Sequence, residues 1–173
     1  MNPTRRHFLQ ATASTLFGLT ARSAGAGEGL VASVTKEVLR AYGAPGGTWF
    51  HPRCCLVPGD KPQLLMTLQG ISGSDFFGPV HSTVSSDLGR TWSEFAAVPP
   101  LGWEKLESGG HDAVCDVTPE YHAATKSVLA LGHNVVYHTD RFHKDQPPRW
   151  PVYAVWRDGK WGPRRKLEWD DPR

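Results

Sequence analysis

The sequence predicts an all-β fold of short strands joined by turns, on three observations. Glycine and proline are abundant, at 18 and 14 of 173 residues, and are scattered throughout. Helical periodicity is weak and confined to Val34–Tyr42. Several apolar or alternating runs of strand length lie between turn-rich pieces.

The N-terminus stands apart from that pattern. Thr4-Arg5-Arg6-His7-Phe8-Leu9-Gln10 is basic, Ala11 to Ala21 is moderately apolar and uncharged, and Ser23-Ala24-Gly25-Ala26 is a stretch of small residues. This is the layout of an export signal over residues 1–26, cleaved after Ala26. Paired arginines before Phe8-Leu9, with a run weakened by Gln10, Thr12, Ser14 and Thr15, resemble a twin-arginine signal. The run falls far short of the roughly 20 apolar residues that span a bilayer, and no later segment approaches that length. The mature part, residues 27–173, is expected in the periplasm or outside the cell, with no membrane association after cleavage.

The formal charge of +2 comes mostly from this segment, because Arg5, Arg6 and Arg22 lie within it. The remainder is slightly acidic and has no basic stripe with interleaved aromatics, which argues against a nucleic-acid partner. Of three cysteines, Cys54 and Cys55 are adjacent. One arrangement bridges Cys115 to either of them. The other, and the default, keeps three buried free thiols packed as small hydrophobes. Since neighbouring strand residues point to opposite faces, at most one of the vicinal pair can face Cys115.

The expected strands are Gln63–Gln69, Pro79–Ser85, Ala113–Val117, Ser127–Gly132, Asn134–Thr139 and Val152–Trp156. Val57-Pro58-Gly59-Asp60-Lys61-Pro62 and residues 140–148 read as surface loops. One unit recurs. Ser85-Ser86-Asp87-Leu88-Gly89-Arg90-Thr91-Trp92-Ser93 is matched downstream by Trp156-Arg157-Asp158-Gly159-Lys160-Trp161-Gly162, each a strand followed by a polar Asp/Gly turn and a tryptophan. Such recurrence indicates a propeller or solenoid.

In the first copy Ser85, Asp87, Gly89, Thr91 and Trp92 fit the Asp-box pattern S-x-D-x-G-x-T-W at every fixed position, so the chain resembles the sialidase (neuraminidase) superfamily of BNR-repeat propellers. Asp87 is expected to accept bonds from the turn backbone, Gly89 to supply a positive φ, and Trp92 to cover the hairpin. The second copy is degenerate, lacking the Ser and Thr. The resemblance implies structural roles for Asp87 and Asp158. It also implies a six-bladed propeller in the full-length family, of which this chain holds about two blades plus the signal peptide, an N-terminal fragment expected to be inactive by itself.

Sialidases clasp the sugar carboxylate with arginines on the propeller axis. The positional match to the first of these is Arg53, in His51-Pro52-Arg53-Cys54-Cys55. The Gly-rich stretch Ser108-Gly109-Gly110-His111-Asp112-Ala113-Val114-Cys115-Asp116 leads into a strand, and Asp112 or His111 is the candidate acid/base. His51 and His133 are further candidates for substrate contact. His122, His133 and His138 show no familiar zinc spacing, so neither metal nor other cofactor is expected.

The function this implies is an exported sialidase-like exo-glycosidase that hydrolyses a terminal, acidic or deoxy sugar from a glycan. The alternatives are a propeller polysaccharide lyase or rhamnosidase-like enzyme that uses histidine, which His51, His111 and His133 favour, and a non-catalytic glycan-binding propeller.

Overall fold

The computed structural model describes residues 33–39, 48–73, 75–138 and 141–168. The export signal expected over 1–26 lies outside the described residues. The chain divides into Met1–Glu37, described only from Ser33, and Val38–Arg173, which carries all the regular structure. Ser33–Leu39 forms no helix, with Val34 and Val38 87% and 73% exposed. A short apolar stripe that buries nothing gains too little to offset helix nucleation.

Ten strands follow: β1 (Thr48–Val57), β2 (Gln63–Gly73), β3 (Phe76–Ser85), β4 (Ala96–Ala97), β5 (Glu104–Lys105), β6 (His111–His122), β7 (Ser127–Tyr137), β8 (Pro151–Arg157), β9 (Lys160–Trp161) and β10 (Arg165–Lys166). They form two antiparallel sheets, ordered β1-β2-β3-β4 and β10-β8-β7-β6-β5, with β9 also paired to β8. The fold is all-β, as the composition predicts. No α-helix occurs among the described residues, and none is long and apolar enough to cross a membrane.

The linear reading missed β1, because Pro52 and a polar flank hide its alternation. It also divided β7 at Gly132, where the strand is continuous. A Cβ at Gly132 would stand 2.6 Å from the Cys115 carbonyl oxygen and 2.9 Å from Val117 Cγ2. Gly132 therefore permits close packing rather than a turn.

The sheets share their core. Val80, Val98, Leu101, Val114, Val117, Ala130, Val152 and Ala154 form one buried cluster drawn from both. Two side chains of β2 tie it to β6: buried Thr67 Oγ1 donates to Val117 O at 2.9 Å, and Gln69 Nε2 to Val114 O at 2.9 Å. Trp161 Nε1 reaches Ser82 Oγ at 3.4 Å from the second sheet.

The turn after β3 is built by its own side chains. Asp87 Oδ1 accepts from Thr91 N–H and from Ser85 Oγ at 2.8 Å, and Asp87 Oδ2 from Thr91 Oγ1 at 2.6 Å. Ser85 Oγ accepts from Gly89 N–H at 2.7 Å, Gly89 has φ 91, and Trp92 Nε1 donates to Gly89 O at 3.0 Å. The second copy is a two-residue hairpin turn with Asp158 at φ 50 and Gly159 at φ 78, so the shorter spacing selects a tighter turn.

The bonds from Thr91 and then Ser85 hold the Asp87 carboxyl at about 2, against an ordinary 3.8. A lowered folded value means stabilisation present above 3.8 and lost as pH falls through about 2. Asp87→Ala is therefore expected to lower the urea unfolding midpoint near neutral pH, with its gap from wild type closing on acidification. A gap independent of pH would show that the ionised carboxylate does not hold the turn.

Candidate functional site

The chemistry-bearing side chains gather where β1 lies beside β6. Each strand carries a bulge there, between Phe50 and Arg53 in β1 and between Cys115 and Thr118 in β6. A bulge re-aims side chains that a regular pleat would send apart. At each bulge one non-glycine residue takes the left-handed conformation, His51 at φ 50 and Asp116 at φ 55. Such strain persists where the surroundings over-determine it, and it concentrates at functional sites.

The two strained residues meet. His51 Nδ1 lies 2.7 Å from Asp116 Oδ1, with side chains 28% and 42% exposed. The approach is short but off the hydrogen-bonding direction, so His51 Nδ1 is buried without an aligned partner. The His51 ring is flanked by Phe50, at 4.2 Å between centroids, and Phe77, at 5.2 Å, and Phe50 is 40% exposed.

Cys115 and His133 complete the cluster. They face each other across the β6–β7 ladder, with Cys115 Sγ 3.2 Å from His133 Nε2. Burial, with Asp116 second, pushes the Cys115 thiol up to about 12. Burial also holds His133 below the usual imidazole value. Both groups are thus neutral near pH 7, the thiol donating to Nε2, and Cys115 is not an activated thiolate nucleophile. One donor atom each from Cys115, Asp116 and His133 lies within 4.8 Å of the others.

The structure brings His51 and His133 into one cluster and separates His111 from Asp112, which alternate across β6. His111 packs on the Trp103 ring at 5.1 Å, beside the buried cluster of Phe77, Ala113, Cys115, Val135 and Tyr137. Its Nδ1 is buried without a hydrogen-bond partner. Asp112 Oδ2 lies 3.3 Å from Arg164 Nη2, and the same guanidinium is 3.3 Å from Glu104 and donates to Ala113 O at 3.3 Å. Arg53 is exposed on β1, opposite Thr67. Asp116, Cys115 and Arg164 are the functional candidates that linear reasoning passed over. No spacing marks them, since bulges and cross-sheet contacts bring them in.

All three cysteines are free, Cys55 and Cys115 buried and Cys54 exposed. The expectation of three buried thiols fails at Cys54, because the vicinal pair splits across the two faces of β1 as the pleat requires. His122 and His138 lie apart from the cluster: His122 Nδ1 is 2.8 Å from Thr125 Oγ1, and His138 stacks on His143 at 4.1 Å.

Burial raises the Asp112 carboxyl above the ordinary 3.8, with Arg164 opposing and Glu104 reinforcing the shift. The raised folded value means that the native state holds the proton to higher pH, so stability falls as pH rises through that value. Asp112→Asn has no such titration. Its unfolding midpoint is expected to gain on wild type as pH rises from about 4 to about 7; movement the other way would show that pairing with Arg164 outweighs burial.

A cleft of about 600 Å³ lined by Val57, Val84, Tyr121, Lys126, Trp156 and Asp158 lies at the other end of the strands. It has no histidine or cysteine in its lining. Comparison of the chain with protein-family models and with curated protein sequences returns no match.

Proposed function

We propose that this protein is an exported glycan-cleaving enzyme on a sialidase-like propeller, with its two sheets as consecutive blades and His51, oriented by Asp116, as the proton-transfer group. The observation that carries the reading is the meeting of His51 and Asp116, two left-handed non-glycine residues on bulges of different sheets, at 2.7 Å. A carboxylate at Nδ1 orients the imidazole and leaves Nε2 for a substrate hydroxyl or ring proton. Alignment that is loose without substrate is usual for such pairs. The half-exposed Phe50 ring beside His51 offers an apolar face against which a sugar ring can pack.

The blade reading is supported by the antiparallel meander of each sheet and by the Asp-box turn, which follows the third strand of the first. Export, to the periplasm or beyond, is supported by the Arg5-Arg6 segment alone. A sialidase-type hydrolase is the second reading, with Arg53 on the sugar carboxylate and Asp112 as the acid. The raised Asp112 carboxyl favours it.

The test is to assay the full-length gene product against sialosides, rhamnosides and uronides, following both sugar release and unsaturated products. Turnover that depends on His51 supports the first reading. Turnover that survives loss of His51 but needs Arg53 and Asp112 transfers the assignment to the second, and no turnover leaves a glycan-binding module.

A further inference from the structure

We propose that Cys115, Asp116 and His133 bind one borderline-soft divalent ion of the zinc type, with His51 holding the carboxylate ligand from outside. Adjacent residues on a regular strand point to opposite faces, so Cys115 and Asp116 would not share a ligand. The left-handed turn at Asp116, φ 55 within the β6 bulge, swings its carboxylate to the Cys115 side. His133 faces Cys115 from the next strand, and the three donor atoms fall within 4.8 Å of one another.

The donor set selects the ion. A thiolate, an imidazole and a carboxylate oxygen suit zinc and its neighbours, whereas calcium and magnesium take oxygen donors. Cys115 is only 4% exposed, so the sulfur is shielded from bulk water while Asp116 and His133 remain partly open. Three protein ligands leave a fourth tetrahedral position for water or for a hydroxyl or carboxylate oxygen of a ligand. His51 Nδ1 lies 2.7 Å from Asp116 Oδ1, close enough to become the outer contact of a ligating carboxylate.

Binding converts the neutral Cys115 thiol to a metal-bound thiolate and releases its one proton to solvent. The site goes beyond the glycan reading and does not depend on it, since binding is measured without substrate.

The experiment strips the full-length protein with a chelator, then titrates it with Zn2+ by calorimetry and with Co2+ by absorption. One equivalent is expected per chain, with proton release and a thiolate-to-cobalt charge-transfer band in the near ultraviolet. Cys115→Ser is expected to lose the band and Cys54→Ser to keep it. His51→Ala is expected to weaken Zn2+ binding about 10–100-fold with the band retained. Because Cys115 is buried, His133→Gln, checked for native circular dichroism, serves as the second variant and is expected to abolish tight binding. Absence of saturable binding to the wild type, or binding unchanged in both Cys115→Ser and His133→Gln, would overturn the proposal.

Discussion

On the proposed glycan-cleaving reading, His51→Ala is expected to lower turnover by about 10²–10⁴-fold with little change in KM, the usual loss when a positioned proton-transfer group is removed. The imidazole lies beside the Asp116 carboxylate on one side, with Phe50 and Phe77 around its ring. Its backbone complicates the comparison, because φ 50 disfavours alanine. His51→Asn provides the control: asparagine tolerates the left-handed region and cannot shuttle a proton near neutral pH. Equal losses in the two variants, with similar unfolding midpoints, would place the effect in chemistry. A kcat for His51→Asn within about threefold of wild type would remove His51 from the mechanism.

The largest expected loss of stability is at Gly110, the residue that delivers the chain into β6. It has φ 82, and a Cβ there would collide with the Tyr137 carbonyl oxygen and lie 3.3 Å from the Tyr137 carbonyl carbon. Left-handed backbone costs an ordinary residue about 1–2 kcal/mol, and forcing atoms into packed structure typically adds about 1–3 kcal/mol. Gly110→Ala is thus expected to cost about 2–5 kcal/mol by urea unfolding, a large share of a domain's stability. Gly109 separates the two contributions, since it has φ 89 but no atom within 4 Å of the place a Cβ would take. Gly109→Ala should cost only the backbone part, about 1–2 kcal/mol. Equal losses at both positions would mean that the chain at Tyr137 gives way and that the close approach does not constrain entry into β6.

How much of this was legible in the sequence followed the range of the interactions. The side chains of Ser85, Asp87, Thr91 and Trp92 bond within the turn itself, so the turn they build could be read from their spacing. The strands β2, β3, β6 and β8 were visible through alternation and turn residues, with ends displaced by a few residues. Gly132 misled because glycine serves both turns and close packing, and only the position of Cys115 O tells which. His51 and His133 could be marked as candidates by residue type, but their partners could not. Asp116 reaches His51 across 65 positions, through a bulge in each strand.

By itself, then, the sequence determined the all-β class, the local turn from Ser85 to Trp92 and the residue types available for chemistry, because propensity and short-range hydrogen bonds act within a few residues. Only the tertiary structure decided which of those residues meet. The meeting of His51 with Asp116 follows from packing one sheet against the other, and the joining of Cys115 to His133 from the register in which β6 pairs with β7. That packing sums many weak contacts between residues distant in the chain, and no short window of sequence contains them.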